Sequence, residues 1–197
     1  PRGQFGAVAV PRLLDRFAVR QILVSPVMFD TPQRALSALE AAIVASGVER
    51  RVIWSGDQLE SQGCRLSVLH PGRTGVIGSD NANSIVLNIE YRGRRILLAG
   101  DLEPPGLNDL LAETPLHCDV LMAPHHGSTQ SDPPGMAAWS TPDHVVVSGS
   151  RRDRSLVVLR AFSRRGSQWL HTAECGAVSV VIDGANLKIT TGRSALD

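Results

Sequence analysis

The chain has 197 residues, of which 43% are hydrophobic, and a formal net charge of +1. This length and composition predict one domain, spanning residues 1–197, with enough apolar side chains for a core. The near-zero charge excludes a general electrostatic attraction to nucleic acid, so such a partner would need a local site. No apolar run approaches the ~20 residues that a bilayer-spanning helix needs.

The first third of the chain alternates between helical and extended patterns. Residues 7–17 and the segment after Thr31-Pro32 are predicted helices, and Gly47 ends the second of them. Short apolar runs predict three strands, at residues 21–25, 51–54 and 64–70. Strands separated by a helix are typical of layered α/β domains, and this is the fold class that we expect.

The rest of the chain continues this pattern after a polar, Gly-rich loop at residues 71–83. Two apolar runs around Arg92-Gly93-Arg94 predict a hairpin. Further helices are predicted at residues 104–113, 135–139 and 155–165, and further strands at residues 118–122, 145–148, 167–171, 177–182 and 187–191.

Residues that commonly bind metals stand where two of these strands end. Asp101 follows the run RILLAG, and His125 and His126 follow the run CDVLMAP. Ligands of open α/β sheets gather outside the carboxyl ends of the strands. One carboxylate and two imidazoles at one rim are the beginning of a metal site. The alternatives are a turn or cap for the aspartate and a surface pair for the histidines.

A second polar cluster comprises Asp80 and Asn83 with their neighbours. These residues either join the metal site or build turns through bonds to their own backbone. His70, His144 and His171 lie at strand ends, and we expect each of them to be structural. Three arginines, Arg151, Arg152 and Arg154, either contact phosphate or form a solvated charge run.

Several motifs, taken in order, resemble the metallo-β-lactamase domain of the ComEC family of DNA-uptake proteins. They are LSVLHPG from position 66, DNANSIVLNI from 80, ILLAGDLE from 96, DVLMAPHHGS from 119, HVVVSGS from 144 and LHTAECGAVSVVI from 170. The resemblance implies an αββα sandwich of two mixed sheets with helices outside. It also implies hydrolysis at one or two metal ions, zinc first and manganese as the alternative, with DNA phosphodiesters as substrate.

The resemblance assigns roles residue by residue. Asp101 matches the bridging aspartate, His126 matches the histidine of the Pro-x-His-Gly loop, and His125 becomes a supporting or alternate ligand. Asp80 stands where many members of the fold carry a further histidine. The first metal motif of the fold, His-x-His-x-Asp-His, has no counterpart among residues 1–6. We therefore expect the N-terminal strands to be lacking and this chain alone to be weakly active or inactive.

Two other functions remain open at this point. One is a non-catalytic relative that binds DNA or braces a membrane channel, and the other is a metallo-hydrolase of a small ester or lactam. The resemblance further implies that the domain is attached to a bacterial inner-membrane protein. A channel segment of the same or a partner protein would then be its neighbour.

Overall fold

The computed structural model describes residues 10–31, 33–153 and 155–193. Residues 10–14 are helical. The other α-helices span Arg34–Ser46, Gly106–Ala112, Pro133–Ser140, Leu156–Ser163 and Thr172–Cys175. The strands are β1 (Gln21–Val24), β2 (Glu49–Val52), β3 (Gln58–Ser61), β4 (Cys64–His70), β5 (Val86–Tyr91), β6 (Arg94–Leu98), β7 (Val120–Met122), β8 (His144–Val147), β9 (Gln168–His171), β10 (Val178–Asp183) and β11 (Asn186–Thr191).

A seven-stranded mixed sheet forms the centre of the fold, with its strands in the order β3-β4-β5-β6-β7-β8-β9. The strands β3 to β6 pair antiparallel, and the strands β6 to β9 pair parallel. The carboxyl ends of the four parallel strands therefore meet at one edge, which we call the carboxyl rim. The end of β4 and the start of β5 reach the same edge, so the loop between them also lies there.

Each face of the parallel half of the sheet is covered by a different layer. On one face, Leu97, Leu121 and Val145 pack with residues of three helices, such as Leu110, Met136 and Phe162. On the other face, the β10–β11 hairpin covers a smaller apolar cluster that includes Val120, Val146 and Leu170. Full burial of a side chain such as Phe162 contributes about 1.5–3 kcal/mol.

The segment from β1 to β2 is a parallel strand–helix–strand unit. The helix Arg34–Ser46 connects the two strands and ends at Gly47, which has the left-handed φ of 67° that glycine adopts without a steric penalty. Leu39 and Ile43 are buried on one side of this helix, four residues apart as the helical period requires.

The predicted α/β class is confirmed, and a large mixed sheet with helices on one face and a smaller β layer on the other is consistent with a metallo-β-lactamase-like sandwich. Two short elements were not predicted. The polar stretch before β4 contains the edge strand β3, and residues 172–175 form a short helix. Residues 1–6, Pro32 and Arg154 lie outside the described residues. None of the described helices combines the length and apolarity needed to cross a membrane.

Candidate metal centre

Three loops leave the carboxyl rim side by side. Gly100 and Asp101 follow β6, the turn Pro124–Gly127 follows β7, and residues 148–150 follow β8. The parallel register aligns Leu98 with Met122, and Met122 with Val146, so the three loops begin at the same level. The sheet therefore brings the loops that carry the predicted carboxylate and both imidazoles to one edge.

The turn Pro124–Gly127 has an unusual backbone. His125 and His126 have φ values of 47° and 56°, and Gly127 follows at 73°. The left-handed region costs a residue with a side chain of order 1–3 kcal/mol, so it persists only where other contacts hold it. The amide of His125 donates to the carbonyl of Gly100 at 2.9 Å, which ties the turn to the loop that carries Asp101. In a strand, successive side chains point to opposite faces of the sheet. The left-handed turn frees His125 and His126 from that alternation.

The imidazole ring of His126 is fixed in direction by a backbone carbonyl. Its Nδ1 donates to the carbonyl of Ser148 at 2.8 Å, which leaves Nε2 as the nitrogen with a free lone pair. Nε2 lies 3.7 Å from Oδ1 of Asp101. Metal-binding histidines commonly donate the other ring N–H to a carbonyl or carboxylate, because this fixes the tautomer and the ring direction.

The separation of these two atoms fits a shared divalent ion. Two ligands at about 2.0–2.1 Å from one tetrahedral ion lie about 3.3 Å apart, and a small side-chain adjustment brings 3.7 Å to that value. Both side chains are partly exposed, at 46% for His126 and 38% for Asp101, so an ion and a substrate can reach them from solvent.

Of the other two predicted ligands, Asp80 is not grouped with this pair. Asp80 is exposed and accepts a hydrogen bond from the side-chain amide of Gln33 at 2.8 Å. Asn83 is buried and bonds both the amide and the carbonyl of Val76, which folds the Gly-rich loop onto itself. Within the part of the chain that the structure describes, no three His, Cys, Asp or Glu side chains are grouped to hold an ion. The pair Asp101–His126 thus brings together two candidate ligands.

His125 meets a carboxylate that the sequence reasoning missed. Its Nδ1 lies 3.2 Å from Oε2 of Glu103, and the other oxygen of Glu103 accepts a hydrogen bond from the Ser79 hydroxyl at 2.6 Å. The signal was present in the run GDLE, where Glu103 stands two residues after Asp101. Nothing in the spacing alone indicated that this side chain turns back to the neighbouring loop.

The remaining histidines of the sheet ends have structural partners. Nε2 of His70 bonds the carbonyl of Ala82 at 2.8 Å, and burial lowers the pKa of His70. His144 contacts the carbonyl of Asp119, and Nδ1 of His171 accepts the amide of Ala173 as the cap of a short helix.

The fold and the rim define an α/β protein with an acidic and imidazole-bearing site at the carboxyl ends of parallel strands. No known protein-family profile matches the chain. It is similar to ComE operon protein 3 of Bacillus subtilis, with 28% identity over 171 residues that cover 84% of this chain and 22% of that protein. It is also similar to the uncharacterised protein YcaI of Escherichia coli, with 26% identity over 147 residues, 72% of this chain and 19% of that protein.

The chain thus spans about a fifth of the length of these two relatives. Among solved structures, it resembles a protein from Parabacteroides distasonis to which a metal-dependent hydrolase activity has been ascribed. The TM-score is 0.47 at 15% identity, over 81% of this chain and 79% of the other.

Proposed function

We propose that the chain is a metal-dependent hydrolase domain of the ComEC type, which cuts phosphodiester bonds of DNA during uptake. The observation that carries the proposal is the pair of Asp101 Oδ1 and His126 Nε2 at 3.7 Å, with His126 fixed on Ser148. The similarity to ComE operon protein 3 supports the relation to ComE proteins within this proposal. A divalent ion held by this pair, zinc or manganese, would act as a Lewis acid and activate water for attack on phosphorus.

The residues of this chain have distinct parts in such a reaction. Asp101 supplies the negative charge that attracts a cation to the rim, and His126 presents an uncharged nitrogen in a fixed direction. Arg151 and Arg152 are exposed and directly follow residues 148–150, the loop whose Ser148 carbonyl holds His126. We assign them to the phosphates of the strand being cut, which bidentate guanidinium groups recognise well.

In the parent protein, we propose that the neighbour of this domain is a membrane channel segment, which would deliver a DNA strand to the rim. The second candidate is a non-catalytic relative that binds DNA or braces that channel. It is favoured by one observation, namely that the described residues supply two grouped ligands where catalytic zinc commonly has three. A small-ester or lactam hydrolase is the third, and it differs only in substrate.

The test is a titration of the chain with Zn²⁺ and Mn²⁺ by calorimetry, using the Asp101→Ala and His126→Ala variants. We expect weak binding to the unsubstituted chain and a loss of at least about tenfold in affinity for each variant. His117→Ala is the matched control, because His117 is exposed and bonds the carbonyl of Thr141 away from the rim. Equal affinities for all four proteins would overturn the proposal.

Activity separates the candidate functions. Cleavage of single-stranded DNA that exceeds the hydrolysis of a chromogenic ester supports the nuclease, and the reverse supports the small-ester hydrolase. Arg151→Ala combined with Arg152→Ala is expected to raise the KM for DNA with a smaller change in kcat. Metal binding without hydrolysis of either substrate supports the non-catalytic relative.

A further inference from the structure

Glu103 is held between two loops of the carboxyl rim. Its Oε1 accepts the hydroxyl of Ser79 at 2.6 Å, a short bond of the kind that a charged acceptor makes. Its Oε2 lies 3.2 Å from Nδ1 of His125. The side chain is only 18% exposed, so the carboxylate faces these two partners more than it faces solvent.

The ring of His125 has little freedom of its own. Its left-handed backbone and the bond from its amide to Gly100 set the direction of the side chain. Nδ1 is buried, and Oε2 of Glu103 is the acceptor within reach, although the ring N–H is not aligned on it as in a full hydrogen bond. A small rotation of the ring or the carboxylate aligns them. Because Nδ1 is buried, Nε2 is the ring nitrogen that a ligand can reach.

Each of the two adjacent imidazoles thus has an acceptor near its Nδ1, and the two acceptors differ. His126 donates from Nδ1 to the Ser148 carbonyl, and His125 has Nδ1 against the Glu103 carboxylate. We infer that Glu103 is a positioning residue for His125, holding the proton on Nδ1 so that Nε2 keeps a free lone pair. Neutral imidazole binds a divalent ion through such a lone pair. The use of that lone pair for metal rests on the proposed function, whereas the position of the proton does not.

The tautomer can be read directly from long-range ¹H–¹⁵N correlations of the histidine rings, recorded at a pH of about 8, where ordinary histidines are neutral. In the full chain we expect both His125 and His126 to carry the proton on Nδ1. Glu103→Ala should move His125 toward the Nε2–H form, which free imidazole side chains favour, and leave His126 unchanged. Glu103→Gln should lower the Nδ1–H share of His125 by less than Glu103→Ala does, because its single amide oxygen is the acceptor for both the Ser79 hydroxyl and His125.

Glu90→Gln is the matched control, since Glu90 pairs with Arg95 at 3.5 Å at the other end of the same sheet. It should leave both histidines unchanged. A wild-type His125 in the Nε2–H form, or a His125 signal that Glu103→Ala does not move, overturns the inference. The wild-type and Glu103→Gln spectra decide the matter even where Glu103→Ala does not fold.

A titration with Zn²⁺ then separates this inference from the proposed function. If Asp101→Ala leaves the affinity unchanged while Glu103→Ala moves the His125 proton, the metal-centre proposal fails and the positioning role stands. If Asp101→Ala weakens zinc binding while the His125 proton stays in place in Glu103→Ala, the metal-centre proposal stands and the positioning role fails.

Discussion

Two aspartates occupy opposite ends of the same parallel strands and have opposite surroundings. Asp119 precedes β7, is 7% exposed, and accepts hydrogen bonds from the side chain of Arg94 at 2.8 Å and the amide of Arg95 at 2.7 Å. Asp101 follows β6 at the carboxyl rim, is partly exposed, and has the His126 imidazole as a neighbour at 3.7 Å. Both carboxylate oxygens of Asp119 thus accept hydrogen bonds from the protein, whereas the carboxylate of Asp101 is accessible to a ligand.

The difference indicates which end of the sheet holds the fold together and which end is available for chemistry. Arg94 also donates from Nε to the carbonyl of Ala185 in the β10–β11 turn, so the Asp119 end joins the hairpin to the sheet. At the rim, the scaffold is made by close backbone contact instead. Gly106 packs so tightly on Ala82 that an added Cβ would lie 1.9 Å from its carbonyl oxygen.

The largest expected effect concerns this close contact at the rim. Gly106→Ala should destabilise the protein by about 3 kcal/mol, because the clashing atom belongs to the backbone and cannot rotate away. The measurement is urea denaturation. Gly72→Ala is the control in the same region, since its Cβ would meet nothing within 4 Å, and it should change stability by no more than about 0.5 kcal/mol. Equal effects of the two substitutions would show that the rim does not depend on this contact.

The next effect concerns Asp119. Asp119→Ala removes two hydrogen bonds and leaves the guanidinium of Arg94 without its anion, so we expect a loss of about 2 kcal/mol. Asp143→Ala is the control, because Asp143 is exposed and lies 3.9 Å from His117. Denaturation of both variants measures the difference, and a neutral Asp119→Ala would contradict the assignment of this end as the structural one.

His70 at the carboxyl rim and Asp119 at the opposite end of the sheet should contribute to stability over different pH ranges. Burial lowers the pKa of His70, so its neutral form is favoured on folding, and the stability it contributes is lost as the pH falls below the ordinary histidine value of about 6.5. Burial alone would raise the pKa of Asp119, but the bonds from Arg95 and Arg94 and the charge of Arg94 outweigh it and lower that pKa. The stability that Asp119 contributes is therefore fully present above a pH of about 3.9. It is lost as the pH falls through the lowered pKa of Asp119 in the folded state.

Stability curves of the His70→Gln and Asp119→Asn variants test these pH ranges. The difference between the unsubstituted chain and His70→Gln should change between pH values of about 7 and 5, whereas the difference for Asp119→Asn should shrink only below about 4. Ranges in the opposite order would show that the two regions have been assigned the wrong electrostatic roles.

The smallest expected effect is on the stability of the open site. Asp101→Ala should change the free energy of unfolding by no more than about 0.5 kcal/mol in metal-free buffer, because a partly exposed carboxylate contributes little to folding. A ligand that binds the folded state stabilises it, so added Zn²⁺ should raise the Tm of the unsubstituted chain and not that of the variant. A large loss of stability without metal would make Asp101 a structural residue like Asp119.

Much of the fold was predictable because its signals are local. The period of apolar residues, Gly47 after a helix and Arg92-Gly93-Arg94 between two runs specified most helices and strands without reference to the rest of the chain. The edge strand β3 was missed because its residues, QLES, are mostly polar and exposed. An edge strand buries too little for its pattern to differ from that of a loop.

The candidate site was predictable in part for the same reason. Asp101, His125 and His126 follow apolar runs directly, and parallel strands bring their ends to one rim. The sequence by itself therefore determined which residues stand at that rim. It also suggested Asp80, whose observed partner Gln33 lies 47 residues away and could not be deduced from spacing.

Only the tertiary structure decided what each of these side chains faces. Ser148 orients His126 from 22 residues away, Glu103 reaches His125 across two loops, and Arg94 meets Asp119 through the pairing of β6 with β7. The left-handed turn at His125 and His126 likewise depends on the bond to Gly100. The physical reason is that hydrogen bonds and ion pairs act over about 3–4 Å. Their partners are therefore set by strand register and loop path, which a local pattern of residues does not encode.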